Sequence, residues 1–241
     1  MYKENPKTKG SGIICAIPQK GICPNKCEDC FFQSGRSYLE PLKDNLPNMP
    51  SAEMAEGRIV RVNDGNDSNV QRELVIKGCQ NYKMKFYNTA IPVCDLEEFD
   101  APVVLTVNPG KKTDTEACLL MNIPKNLMFV RIRTNTWNLN LVDVAADYYS
   151  ERKVPVALTF MRYYTEVLPK EHENYYTFRK NIINSYWKIT KNSWNMIMAR
   201  YQYNYLVYSC GIEGEKGTSA CRHCGNCVRE YFATMERMRE S

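Results

Sequence analysis

Short apolar runs, most of them closed by polar or turn residues, recur through the first two thirds of the chain. They are Gly12 to Ile17, Arg58 to Val62, Met84 to Tyr87, Val103 to Val107, Leu127 to Ile132 and Val154 to Phe160. Their Val, Ile, Leu and Phe content and their closing residues, such as Asn63-Asp64-Gly65, Asn88-Thr89 and Asn108-Pro109-Gly110, predict strands. Ser68-Asn69-Val70-Gln71 has a capping-box pattern, and Val70, Leu74 and Val75 follow at helical spacing. Leu141, Val144, Ala145 and Tyr148 fall at i, i+3, i+4 and i+7, predicting one apolar helix face before the sixth run. Strands alternating with crossovers imply a parallel sheet with right-handed connections. Six are too few to close an eight-stranded barrel. The expected fold is therefore α/β, a partial (β/α)6 TIM-like barrel with a C-terminal cysteine-rich extension, and chemistry is expected at the carboxyl ends of its strands.

From about Leu168 the texture changes. Glu171 to Arg200 interleaves Tyr175, Tyr176, Phe178, Ile182, Ile183, Tyr186, Trp187 and Ile189 with Lys and Arg, which predicts one or two helices broken around Asn192-Ser193. Such a stripe either packs on a core with snorkelling basic residues or stacks nucleic-acid bases; the first is the commoner use. Gly211 to Gly217 reads as a loop, and no internal repeat is present. The expected division is a core over 1–167, a helical aromatic and basic segment over 168–209 and a cysteine-cluster extension over 210–241.

Composition narrows the class. The chain has 241 residues, 44% hydrophobic and 24% charged, enough for one packed domain with a small appendage. No run reaches the roughly 18 apolar residues of a membrane span. Met1 to Lys7 lacks the apolar core of a signal peptide, so a cytoplasmic location is expected. The net charge of +5 mildly favours an anionic substrate or partner and is too small to diagnose nucleic-acid binding. Only two histidines, His172 and His223, leave little room for a multi-histidine metal site or a serine–histidine relay.

The eleven cysteines carry the chemistry. In a reducing compartment clustered cysteines are more often metal ligands than disulfides. Cys15, Cys79, Cys94 and Cys118 are scattered and read as small buried hydrophobes. The rest form two groups. Cys23, Cys27 and Cys30 stand in the spacing C-x3-C-x2-C directly after the first predicted strand. Three thiolates hold three irons of a [4Fe-4S] cube and leave the fourth open to another ligand, whereas a structural site normally closes every position.

This triplet, followed by the strand pattern over residues 12 to about 163, resembles the radical S-adenosylmethionine superfamily. One departure is Asp29 before the third cysteine, where that superfamily commonly has an aromatic residue; Phe31 and Phe32 follow it instead. The resemblance implies S-adenosylmethionine on the open iron and an electron donor such as flavodoxin or ferredoxin. One electron would cleave the sulfonium to a 5′-deoxyadenosyl radical that abstracts hydrogen from a substrate. The cofactors carry that chemistry while the protein orients them and excludes solvent. The length and triplet also resemble activating enzymes that install glycyl radicals, although the C-terminal cysteines are not diagnostic of them.

The resemblance further implies that the end of the second strand contacts the amino group of the methionine moiety. That position reads Asn63-Asp64-Gly65-Asn66-Asp67, without the frequent Gly-Gly-Glu-Pro form, so Asn63 and Asp64 are the expected acceptors. Arg131 and Arg133 alternate with Val130 and Ile132 and share one face of the fifth strand. If that face is interior, one arginine is expected on the methionine carboxylate and the other on substrate; the alternative is a solvent-facing edge. Asn108, Asn135 and Arg162 are further strand-end candidates.

The second group, Cys210-x10-Cys221-x2-Cys224-x2-Cys227, resembles ferredoxin-type ligation and is expected to hold an auxiliary [4Fe-4S] cluster, with tetrahedral zinc the lesser alternative. His223 lies inside the run as a bystander. The substrate class is open among peptide or protein, nucleic acid and small molecule. A different class of reading also stands: a zinc- or iron–sulfur-binding module that recognises nucleic acid without catalysis.

Overall fold

The computed structural model describes residues 1–27, 30, 32, 37–90, 95–108, 119–160, 162–164, 168–181, 185–211 and 221–240, with the side chain at 222 excepted. In chain order the elements are β1 (Ile13–Ala16), α1 (Leu42–Asn45), α2 (Ala52–Ala55), β2 (Ile59–Val62), α3 (Arg72–Gly78), β3 (Lys85–Thr89), β4 (Val103–Val107) and β5 (Leu127–Thr134). They continue with α4 (Leu139–Glu151), β6 (Val156–Phe160), β7 (Arg162–Tyr163), β8 (Tyr176–Arg179), β9 (Tyr186–Ile189), α5 (Lys191–Ala199), β10 (Val207–Ser209), α6 (Cys221–Cys224) and α7 (Asn226–Arg239).

One parallel sheet of seven strands, in the order β1-β2-β3-β4-β5-β6-β10, forms the frame. Each step moves one strand over in the same direction, so right-handed crossovers all fall on one face. That face is the main core. Ile14, Val60, Tyr87, Leu105, Val130, Ile132 and Leu158 pack there against Val75 of α3 and Val142, Ala145 and Tyr149 of α4. The sheet is open, not closed into a barrel. Among the described residues no helix is long and apolar enough to cross a membrane.

The opposite face is covered too. Ile13, Ile59, Phe86, Val104, Met128 and Phe129 form a second cluster with Tyr231 of α7, joined by Val228 and Met235. At the far end of α7, Arg237 Nη2 donates to the Leu127 carbonyl over 2.7 Å, fastening the helix to the start of β5. The half of this face nearer the amino ends of the strands is thus filled by the C-terminal helix, and only the carboxyl edge remains for a site.

The six predicted strands are all present, and the structure adds a seventh, β10, which pairs with β6 through Val207–Val156 and Ser209–Leu158. The α4 face is displaced from the predicted one: Val142, Ala145, Ala146 and Tyr149 are buried, whereas Val144 is 52% exposed. The capping box is not used. Ser68 is buried and accepts a hydrogen bond from Asn63 Nδ2, and α3 starts after a left-handed Gln71, leaving Leu74 exposed. In the aromatic and basic segment the expected helices give way to an antiparallel sheet, β7-β9-β8, and one helix. Asn192-Ser193 starts that helix instead of breaking it: Ser193 N donates to the Thr190 side chain at the N-cap. Its aromatics largely pack on one another, Trp187 on Phe178 and Trp137 on both Tyr163 and Tyr176. Ile182 and Ile183, the Gly211–Gly217 loop beyond its first residue, Cys94 and Cys118 lie outside the described residues. Cys15 and Cys79 are fully buried, as expected of small apolar side chains.

Candidate functional site

The site is built at the carboxyl edge, on the face away from the crossovers. β5 carries one extra residue against β4: Val103 pairs with Leu127, but Val104 pairs with Phe129. This bulge puts both Met128 and Phe129 into the α7 cluster and reverses the phase of the strand beyond it. Val130 and Ile132 therefore join the crossover core, and Arg131 and Arg133 point to the other face.

The first thiols lie in the loop beyond β1. Cys23, Cys27 and Cys30 are half-buried, and Cys30 N donates to the Cys27 carbonyl over 3.2 Å. They stand near enough to repel one another as thiolates. Burial pushes the Cys23 and Cys27 thiols up, with the Arg133 guanidinium opposing the shift at Cys27 and the Asp67 carboxylate adding to it at both. Two side chains, Gln19 and Phe32, dock this loop on the segment that follows β2. Gln19 Nε2 donates to the Asp67 and Val70 carbonyls, each over 2.8 Å. Phe32 lies against Gly65, where even a methyl group would overlap its ring. Asp29 and Phe31, where the sequence departs from the superfamily pattern, are not among the described residues.

After β2, Asn63 adopts a left-handed conformation, φ 61°, which Asn tolerates well. Its side chain turns inward to Ser68, and its Oδ1 is buried without a hydrogen-bond partner. Asp64 is ion-paired with Arg61 and accepts from Asn5 Nδ2. The carboxylate beside the triplet is Asp67, buried at 3% exposure. It accepts from Asn69 N at 2.9 Å, Thr89 Oγ1 at 2.8 Å and Ala90 N at 2.6 Å. Burial pushes its carboxyl up while these hydrogen bonds pull it down. Asn108 sits just past β4 with its Oδ1 buried and unpartnered. Asn135 is tied by Tyr163, Asn138 and Trp137 into the turn before α4, and Arg162 stacks on Tyr186 at 4.9 Å, so both hold structure.

The second thiols come from three elements. Cys210 directly follows β10 and continues its ladder by donating N–H to the Leu158 carbonyl at 2.7 Å. Cys221 and Cys224 lie on the short α6, and Cys227 lies in the first turn of α7. Cys221 N donates to the Lys7 carbonyl, which lays the N-terminal segment beside the group. Gly211 N donates to Cys224 Sγ at 3.3 Å, the kind of N–H···S contact that suits a thiolate. The half-buried Cys227 thiol is pushed up to about 12 by desolvation, with Arg131 and Arg61 pulling the other way. Cys15, a fifth thiol in this neighbourhood, is held up to about 12 by burial.

Among the described residues no three His, Cys, Asp or Glu side chains converge closely enough to hold a metal ion as they stand. What fits a thiophilic metal is the donor chemistry: two groups of thiols, with Arg133 near Cys27 of the first and Arg131 and Arg61 near Cys227 of the second. Arg61 was overlooked in the sequence, although a lone charge inside Ile59-Val60-Arg61-Val62 was its signal. Gln19 and Asp67 carried no comparable mark. No family model, curated protein or solved structure matches this chain.

Proposed function

We propose that the chain is a radical S-adenosylmethionine enzyme on a partial-barrel sheet. Cys23, Cys27 and Cys30 hold its [4Fe-4S] cluster. Cys210, Cys221, Cys224 and Cys227 hold a second centre, an auxiliary [4Fe-4S] cluster in preference to zinc. When bound, the first cluster and S-adenosylmethionine supply the reductive cleavage of the sulfonium and hydrogen abstraction from substrate, with the electron delivered by a flavodoxin- or ferredoxin-like donor.

One observation carries this reading: the three thiols follow β1 at the carboxyl edge of a parallel sheet and share that edge with Arg133. The stepwise strand order is the winding of a barrel left open. In this assignment Arg133 pairs with the methionine carboxylate. Asn63 Oδ1 and Asn108 Oδ1, both buried acceptors without a partner, receive its ammonium group or the ribose hydroxyls. Asp67 and Gln19 fix the loop that orients them. Asp64 balances the charge of Arg61. The α7 helix closes the lower half of the face and keeps water from reaching the edge from below.

Anaerobic reconstitution with iron and sulfide, followed by dithionite and S-adenosylmethionine, should yield 5′-deoxyadenosine. A protein that carries its cluster and binds S-adenosylmethionine yet releases none would rule the enzyme reading out.

A further inference from the structure

Two arginines lie beneath the C-terminal thiols. Arg61 is in register with Cys15 of β1 and Phe86 of β3. Arg131 stands between Thr106 of β4 and Ala157 of β6. The direction of α7 sets what lies over them. Its last turn is fastened to Leu127 at the start of β5, so its first turn, with Cys227, lies toward the other end of that strand. Cys210 and Cys227 both pack on the cluster containing Phe129 and Ala157, and the Arg131 guanidinium lies 5.6 Å from the Phe129 ring.

These guanidinium groups are incompletely satisfied. Arg131 Nη1 reaches Asn88 Oδ1 at 3.4 Å, but its Nε and Nη2 are buried without a hydrogen-bond partner. Arg61 is paired with Asp64, and its Nε is likewise without one. Burying cationic donors with nothing to accept from them is costly, so an acceptor belongs beside them. A neighbouring group that can become an acceptor is the thiol of Cys227, which packs with Cys210 on the cluster of Phe129 and Ala157 that flanks Arg131. Four thiolates around zinc or a [4Fe-4S] core leave a net negative charge of about two, which a neighbouring cation offsets where the site is partly desolvated. Asp64 already offsets Arg61, so Arg131 is the main source.

We propose that Arg131, seconded by Arg61, is the buried counter-charge of the C-terminal thiolate centre, and that it sets the metal affinity and reduction potential of that centre from the floor of the sheet. This rests on the reading that the four thiols hold a metal. It makes the centre an internal one at the edge where substrate binds, not a knuckle that merely ties down the tail.

The test uses the full chain with Cys23, Cys27 and Cys30 all changed to Ala, so that only the second centre is observed. Zinc affinity is measured by chelator competition, and the midpoint potential of the iron-loaded protein by redox titration. Arg131→Gln is expected to weaken zinc binding roughly ten- to a hundredfold and to shift the potential to more negative values. Arg131→Lys should restore most of both, and Arg200→Gln, an exposed remote control, should change neither. Asp64→Asn unmasks Arg61 and should move the potential in the positive direction; this arm decides the matter if Arg131→Gln does not fold. A wild-type affinity and potential in Arg131→Gln, or a negative shift in Asp64→Asn, overturns the counter-charge. If the background protein takes up neither zinc nor iron, the second centre itself is wrongly assigned and the proposal falls with it.

Discussion

The two groups of thiols share one edge of one sheet but are held by different means. Cys23, Cys27 and Cys30 sit in a half-buried loop docked by Gln19 and by the Phe32 ring on Gly65. Cys210 and Cys227 are joined to the sheet itself, one by the β10 ladder and the other by α7, whose apolar side is part of the core. A site that must admit a large cofactor and a substrate benefits from a loop that adjusts. A centre that only passes charge or fixes geometry gains from being immobile. Their arginines follow the same division, Arg133 beside the loop thiols and Arg131 beside Phe129, on whose cluster Cys210 and Cys227 pack.

The sharpest way to break this comparison is to remove one group of ligands. Cys23→Ala, Cys27→Ala or Cys30→Ala should each abolish 5′-deoxyadenosine formation and cost about four irons while the second centre keeps its own; full retention of iron would refute the division of ligands. Next, Tyr231→Ala removes the aromatic anchor of α7, which is 3% exposed. It should cost about 3–5 kcal/mol by thermal or denaturant unfolding and reduce metal retention at the second centre before the first. Gly65→Ala pushes against Phe32 and should cost about 1–3 kcal/mol, with the reverse pattern: iron lost from the first centre and kept by the second. The smallest effect is expected for Arg237→Met, which gives up the bond to the Leu127 carbonyl. A loss of about 1–2 kcal/mol, with faster hydrogen exchange confined to the end of α7, would show that the helix is fastened there.

Much of the frame was legible because buried parallel strands write continuous apolar runs, and all six such runs became strands. β10 escaped because Val207-Tyr208-Ser209 is three residues long and is a strand only through its pairing with β6. The aromatic and basic stretch misled because Tyr176, Phe178, Tyr186 and Trp187 fit a helical stripe about as well as a strand pattern. Their packing on Trp137 and on one another selected the antiparallel sheet. Ser68 looked like a cap and became an interior partner for Asn63. In the site, thiol spacing was readable because ligands of one cluster lie near one another in sequence. Gln19 and Asp67 were not, because an amide or carboxylate that ties two loops together leaves no periodic signal.

The sequence by itself determined the grouping of the thiols and the fact that Arg131 and Arg133 share a face, since side chains two apart on a strand always do. It could not say which face. Counting from Leu127, whose side chain joins the crossover core, strict alternation would have turned both arginines into that core. The extra residue at Met128 reverses the phase and aims them at the thiols. That bulge depends on the register of β5 with β4 and on α7 burying Met128 and Phe129 together. The contacts responsible join residues about a hundred positions apart in the chain, and only the folded molecule brings them together.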